Sequence, residues 1–239
     1  MEELQVIARI RTPFPEKFGV PRQSGLADVK AEIVFEPAFR SREAVRGLEG
    51  FSHIWLIWQF HRALREEWSP TVRPPRLGGN ERMGVFATRS PFRPNHLGLS
   101  CVRLERVEPD GPEGPVLHVA GADLVDGTPL FDIKPYVPYA DCHPEAAGGF
   151  TDAVARETLT VDFPEPLLTQ VDPALRPGLL DVLAQDPRPS YHDDAERVYG
   201  MTFGGVNVRF TVSGKTLTVT AVEGLNDTQP GAQVQASPV

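Results

Sequence analysis

The sequence is poor in the features that mark several large protein classes. It has two cysteines in 239 residues, Cys101 and Cys142, too few for a disulfide framework. Cys101 lies in an apolar strand-like run and reads as a small core residue. Cys142 has only His143 beside it, and two neighbouring ligands do not make a zinc site, so no metal is expected. No apolar run approaches the roughly 18 residues that cross a bilayer, so no membrane association is expected. The N-terminus, MEELQVIARI, is acidic and lacks the basic start of a secretory signal, which points to the cytoplasm. G-x-G-x-x-G, P-loop, G-x-S-x-G and H-E-x-x-H patterns are all missing. Neither a dinucleotide fold nor a P-loop NTPase is indicated, and no hydrolase elbow or zincin helix is present.

Positive charge is scarce overall, with a formal net charge of −8. Its distribution matters more than its total. Residues 62–106 hold nine arginines (62, 65, 73, 76, 82, 89, 93, 103 and 106) against glutamates 66, 67, 81 and 105, a local +5 that leaves −13 elsewhere. Local charge decides whether a phosphate backbone can be met. Arginine also suits bidentate contacts to phosphate or carboxylate better than lysine does. A set of solvated loop charges is the competing explanation.

What is present is a soluble composition, 41% hydrophobic and 23% charged, with many short strand patterns. LQVIARIR (4–11) and VKAEIVFE (29–36) read as strands, the second alternating Val29, Ala31, Ile33 and Phe35 with polar residues. SREAVRGL (41–48) is a short helix with Ser41 as its N-cap. HIWLIWQF (53–60) reads as a central strand buried on both faces. GVFAT (84–88), LSCVRLERVE (99–108), PVLHVAGADL (115–124) and PLFDI (129–133) continue the strand series. With little helix, they predict a mainly β, barrel-like domain over residues 1–145. After a linker-like stretch (142–155), ETLTVDF (157–163) predicts a strand and PALRPGLLDVLAQ (173–185) a helix. NVRFTVSGKTLTVTAVE (207–223) predicts a hairpin in which Val208, Phe210 and Val212 face Leu217, Val219 and Ala221. A small α+β domain over 157–225 follows, then a tail, 226–239, expected to be disordered.

Four stiff polar loops border these strands: RTPFPEKFGVPRQSG (11–25), the FHR edge (60–62) with VRPPRLGGNERMG (72–84), ATRSPFRPNHLG (87–98) and DLVDGTPLFDIKPYVPYAD (123–141). Loops rich in Pro and Gly lose less entropy on ordering around a ligand. DGTP (126–129) is a turn by its chemistry, with Gly127 permitting positive φ and Pro129 restricting Thr128. By turn chemistry alone it is a tight hairpin.

These loops, with EGFSHIWLIWQFH, resemble the signature blocks of the TrmO (TsaA/YaeB-like) family of S-adenosylmethionine-dependent tRNA N6-adenosine methyltransferases. The blocks cover most of residues 7–141, and VLAQDPRPSY (182–191) and NVRF (207–210) resemble the family's small C-terminal domain. Two departures stand out: His96 replaces the usual proline of an RPNP run, and Gly204-Gly205 precede NVRF where Asp-Phe is common.

The resemblance implies a β-barrel methyltransferase rather than a Rossmann one, and a homodimer. It implies contacts to S-adenosylmethionine from Gln23, Ser24, Gly25, His61, Arg62, Arg89, Leu99, Asp126, Gly127, Thr128 and Pro129. The implied substrate is tRNA carrying N6-threonylcarbamoyladenosine at position 37, methylated on N6. That nitrogen is amide-like and needs a base, for which Asp126, Asp132 and Tyr136 are the candidates. Lys134 or an arginine would meet the threonyl carboxylate. Arg89 is expected to face the cofactor, and Arg93 and its neighbours the tRNA phosphates. His53 and His118, inside strand runs, are expected to be core histidines. A non-catalytic module binding S-adenosylmethionine or RNA is the alternative, and a small-molecule methyltransferase a third.

Overall fold

The computed structural model describes residues 4–64, 67–74, 81–152, 157–188, 194 and 196–225. The tail from Asn226, Arg65 and Arg76, and parts of the 72–84, 142–155 and 182–191 stretches lie outside them. Strands β1 (Ala8–Arg11), β2 (Lys30–Phe35), β3 (His53–Gln59), β6 (Leu97–Gly111), β7 (Gly114–Ala120) and β8 (Thr128–Pro135) form a closed barrel in the order β1-β2-β7-β6-β3-β8. Every neighbouring pair in it is antiparallel. Closure leaves no strand edge open to further pairing.

Six strands enclose too little space for a channel, so inward side chains fill the barrel. Ile10, Ile33, Ile54, Leu56, Val102, Leu117, Val119 and Leu130 form this core, each at most 1% exposed. The alternation expected for 29–36 holds in part: Ala31, Ile33 and Phe35 are buried in the barrel core, but Val34 between them is buried as well, and Val29 packs elsewhere. In β3 only Ile54, Leu56 and Trp58 point inwards, and the residues between them are half-buried. The strand is therefore buried on one face, because its outer face belongs to a barrel wall rather than a sandwiched sheet.

Other expectations also shift. Of the 84–88 region only Gly84 is strand, as the end of β5 (Met83–Gly84), which pairs with β4 (Thr71–Val72), and Val85–Ala87 form a single 3-10 turn. The Val85 amide donates to the Pro70 carbonyl and the Thr88 amide to that of Val85, closing the turn. Helix α1 (Arg42–Val45) has Ser41 at its N-cap position, but the serine hydroxyl makes no capping bond. His53 and His118 are not core histidines. His53 meets the Ser52 hydroxyl at 2.9 Å, and His118 lies on the outer wall 2.6 Å from Arg106 and 3.2 Å from Glu108.

After α2 (Pro138–Asp141), a second sheet has the order β10-β11-β12-β9, from β9 (Thr160–Asp162), β10 (Tyr199–Phe203), β11 (Val206–Ser213) and β12 (Thr216–Gly224). The expected hairpin pairs Phe210 with Val219 and Val212 with Leu217, but a bulge at Arg209/Phe210 sets Val208 opposite Val222 rather than Ala221. α3 (Glu165–Leu168) and α4 (Arg176–Ala184) complete this part. Its core includes Leu179, Met201, Phe203, Val208, Phe210 and Leu217.

Phe14, Ala27 and Val29, from the segment between β1 and β2, belong to this second core. Gly178 of α4 lies so close to that segment that a Cβ there would be 3.0 Å from the Asp28 carbonyl. Asp28 also donates its amide to Asp181 of α4 at 2.9 Å, and Gly204 donates to the Pro13 carbonyl at 2.8 Å. The 12–29 loop is thus held from below by the barrel and from the side by the C-terminal sheet.

Candidate active site

The antiparallel register places Arg11, Lys30, Gln59, Leu97, Ala120 and Thr128 around one mouth of the barrel. The 12–29 loop, His61–Arg62, the 85–96 loop and the 121–128 connection all open from this end. At its rim a polar chain descends into the apolar core. Trp58 Nε1 donates to Ser100 Oγ at 3.0 Å, and the Ser100 hydroxyl donates to Asp123 Oδ1 at 2.6 Å. The tryptophan ring lies directly over Gly98, where a Cβ would come within 2.3 Å of it.

Gly121, with φ +86°, ends β7 and turns the chain toward Asp123. Its carbonyl accepts the Gly25 amide at 2.9 Å, and its own amide donates to Val29 at 3.0 Å. A side chain at 121 would press on the Gly25 backbone at 3.2 Å. Gly121 therefore fastens the Gln23–Gly25 segment beside Asp123. Burial pushes the Asp123 carboxyl up from its ordinary value, against the Ser100 hydroxyl, the Ser24 amide and the positive charge of Arg89. Among the described residues no cationic side chain forms an ion pair with Asp123. Arg89 instead donates from Nη1 to the Gln23 side-chain carbonyl.

The DGTP turn is anchored on the opposite side of the same mouth. Asp126 donates its amide to Phe14 at 2.8 Å, and its Oδ1 accepts the Thr12 amide at 3.0 Å. Gly127 (φ +73°) donates to Ile10 at 2.9 Å, and the buried Thr128 hydroxyl donates to Val125 at 2.5 Å. Gly25 and Gly127 have their amides engaged within the protein, but open space lies where a side chain would project from each. Burial, then the neighbouring Arg62, lowers the His61 imidazole below its ordinary value. Leu99 projects outward and is 54% exposed, next to inward Ser100.

The structure thus gathers Gln23, Ser24, Gly25, Arg89, Asp126, Gly127, Thr128, Pro129, His61, Arg62 and Leu99 around one end. It does not bring Asp132 or Tyr136 there. Asp132 is four residues along β8 from Thr128, about 13 Å at the usual strand rise. Its Oδ2 pairs with Lys134 at 3.0 Å on the outer wall. Tyr136 lies at the other mouth, against His53 and Trp55 with ring centroids 6.1 and 5.9 Å apart, and burial pushes its phenol up, away from a base.

The arginines sort by partner. Arg93 donates to the carbonyls of Thr88 and Ser90 and braces its own loop. Arg103 pairs with Asp28 and Glu105, and Arg106 with Glu108. Arg82 donates to the Thr71 hydroxyl at 3.2 Å. His96 adopts φ +48°, a value a proline ring cannot reach, and its amide donates to Arg93 at 3.3 Å. The departure at 96 therefore permits a turn that the usual residue would forbid. Beside this loop, exposed Trp68 and Phe86 stack at 6.0 Å and 25°.

Asp123, Ser100 and Trp58 are the site residues that the sequence reading passes over. Their signals are present: Ser100 occupies an inward phase of β6, and Asp123 is the single charge between buried Ala122 and Leu124.

Residues 9–142 match the tRNA-methyltransferase O N-terminal domain, and residues 156–225 the TrmO C-terminal domain. The chain belongs to the TrmO family. TrmO relatives include the Escherichia coli K12 tRNA (adenine(37)-N6)-methyltransferase, 42% identical over 92% of this chain and 97% of that protein. The Eikenella corrodens protein of the same name is 49% identical over 73% of this chain and 99% of its own length. A crystal structure of TrmO from Pseudomonas aeruginosa superposes with a TM-score of 0.74 at 34% identity, covering 94% of this chain and all of that one (100%). The barrel architecture expected of a TrmO protein is present.

Proposed function

We propose that this chain is a tRNA (adenine(37)-N6)-methyltransferase that takes its methyl group from S-adenosylmethionine and acts on the threonylcarbamoylated adenosine. The observation that carries the proposal is the gathering of the Gln23–Gly25, His61–Arg62, Arg89 and Asp126–Pro129 segments at one barrel mouth in a member of the TrmO family. The residues suit the donor. Gly25 and Gly127 leave room for close approach of a flat base, and Arg89 supplies a guanidinium for a carboxylate. When bound, S-adenosylmethionine supplies an electrophilic methyl group.

The chain's own part is to bind, align and take a proton. Asp126 Oδ1 is engaged by the Thr12 amide, which leaves Oδ2 to accept the proton of N6. Lowered basicity keeps the His61 ring neutral beside Arg62, so it serves as a contact rather than a charge. Arg62, Arg73 and Arg82 are the phosphate-facing cations, and the Trp68–Phe86 pair offers a surface on which an unpaired base stacks. The barrel (1–145) carries the chemistry and the 157–225 unit supports it. The protein works as a cytoplasmic homodimer.

The test is mass spectrometry of nucleosides from threonylcarbamoylated tRNA incubated with protein and donor. A methylated threonylcarbamoyladenosine that requires both is the expected result. Donor binding without any methylated nucleoside would leave the non-catalytic binding module.

A further inference from the structure

Asp123 has no role in the function set out above, yet its half-buried carboxyl sits at the barrel mouth directly on the buried Ser100 hydroxyl. Its Oδ1 takes the Ser100 hydroxyl at 2.6 Å, and that serine in turn takes Trp58 Nε1 at 3.0 Å. The carboxyl also receives the Ser24 amide, and Arg89 acts on it only through space because its guanidinium is bound to Gln23. A partly desolvated carboxylate without an ion-pair partner is costly to a fold, and the cost is lifted when a cation arrives. Asparagine in the same place would satisfy Ser100 equally well and carry no such cost. The carboxylate at this position is therefore not accounted for by folding.

We propose that Asp123 is the counter-charge for the methyl donor, and that it makes the site prefer the cationic donor over its thioether product. S-adenosylmethionine carries one more positive charge than S-adenosylhomocysteine, and a fixed anion in a medium of low dielectric distinguishes the two by charge alone. The preference opposes product inhibition. Asp123 takes this role only if the donor binds at this mouth, as proposed above.

Calorimetric titration of wild type and Asp123→Asn with S-adenosylmethionine and S-adenosylhomocysteine, near pH 8, tests it. Wild type should bind the donor more tightly than the product, and Asp123→Asn should lose about tenfold of that ratio, the scale of one screened charge contact. The Asn variant should also melt no lower than wild type at this pH, because the carboxylate it removes is the disfavoured form. Ser100→Ala, which keeps the charge, should keep the ratio. Equal losses for both ligands in Asp123→Asn, or a lower melting temperature, would make the aspartate a loop brace and overturn the inference. Failure of wild type to bind either ligand would instead overturn donor binding at this mouth.

Discussion

The two mouths of the barrel are built from the same six strands and could hardly differ more. One is rimmed by glycine turns, arginines and the Trp58–Ser100–Asp123 chain, which runs from buried Trp58 and Ser100 to half-buried Asp123. The other opens onto a pocket of about 540 Å³ lined largely by Ile7, Phe35, Phe39, Val45, Leu48 and Phe51, with Asp132 at its edge. At the apolar mouth β6 and β7 join by a tight turn, and the 36–52 connection folds its short helical turns around the pocket. At the polar mouth the β1–β2 loop and the 121–127 connection brace one another through backbone bonds such as Gly25 to Gly121 and Asp126 to Phe14, and open space remains beside Gly25 and Gly127. The proposed site thus lies where loops brace loops, not at the apolar pocket.

The sharpest way to break this contrast is to compare the two carboxylates placed at its ends. Asp126→Asn should lower single-turnover methyl transfer by about 100-fold or more at saturating donor, whereas Asp132→Asn should stay near wild type. The reverse result would move the chemistry to the outer wall. Next in size, Arg89→Ala should weaken donor binding by about tenfold or more with the melting temperature unchanged, as read by calorimetry.

A pH series is milder. The raised Asp123 carboxyl makes the wild-type donor affinity complete above its folded-state value and decreasing as pH falls through it. The groups facing it are Ser100 from β6, the Ser24 amide and Arg89. Asp123→Asn should flatten the profile, and any residual slope would report His61. Smallest of all, Arg73→Gln with Arg82→Gln should reduce the slope of log K for tRNA against log salt by about 0.7–0.9 per lost phosphate contact. An unchanged slope would place the RNA elsewhere on the surface.

Much of the fold was legible because barrel strands obey a period of two: Ala31, Ile33 and Phe35 announced their inward face. Closure was not legible, since it depends on β1 finding β8 across 118 positions, as between Ile10 and Thr128. The 85–87 turn was misjudged because its apolar residues suit a strand, and the deciding bond comes from Pro70. The loops that meet at the polar mouth were visible through turn chemistry and family likeness. Asp123 was not, because the positive φ of Gly121 stops the alternation two residues earlier, and nothing local shows that the carboxyl meets Ser100. Arg93 showed its charge, while the carbonyls that absorb it are set only by the folded loop.

Phe14, Ala27 and Val29 bury themselves in the core completed by β11 and β12, more than 170 positions further along the chain. During synthesis the barrel strands therefore emerge long before the surface that grips the Gln23–Gly25 loop exists. A nascent chain released short of β12 would have a barrel wall and an Asp126 turn, yet lack the clamp on its own ligand loop. The clamp on that loop therefore forms only after β12 has been synthesised, far later than the barrel strands it serves.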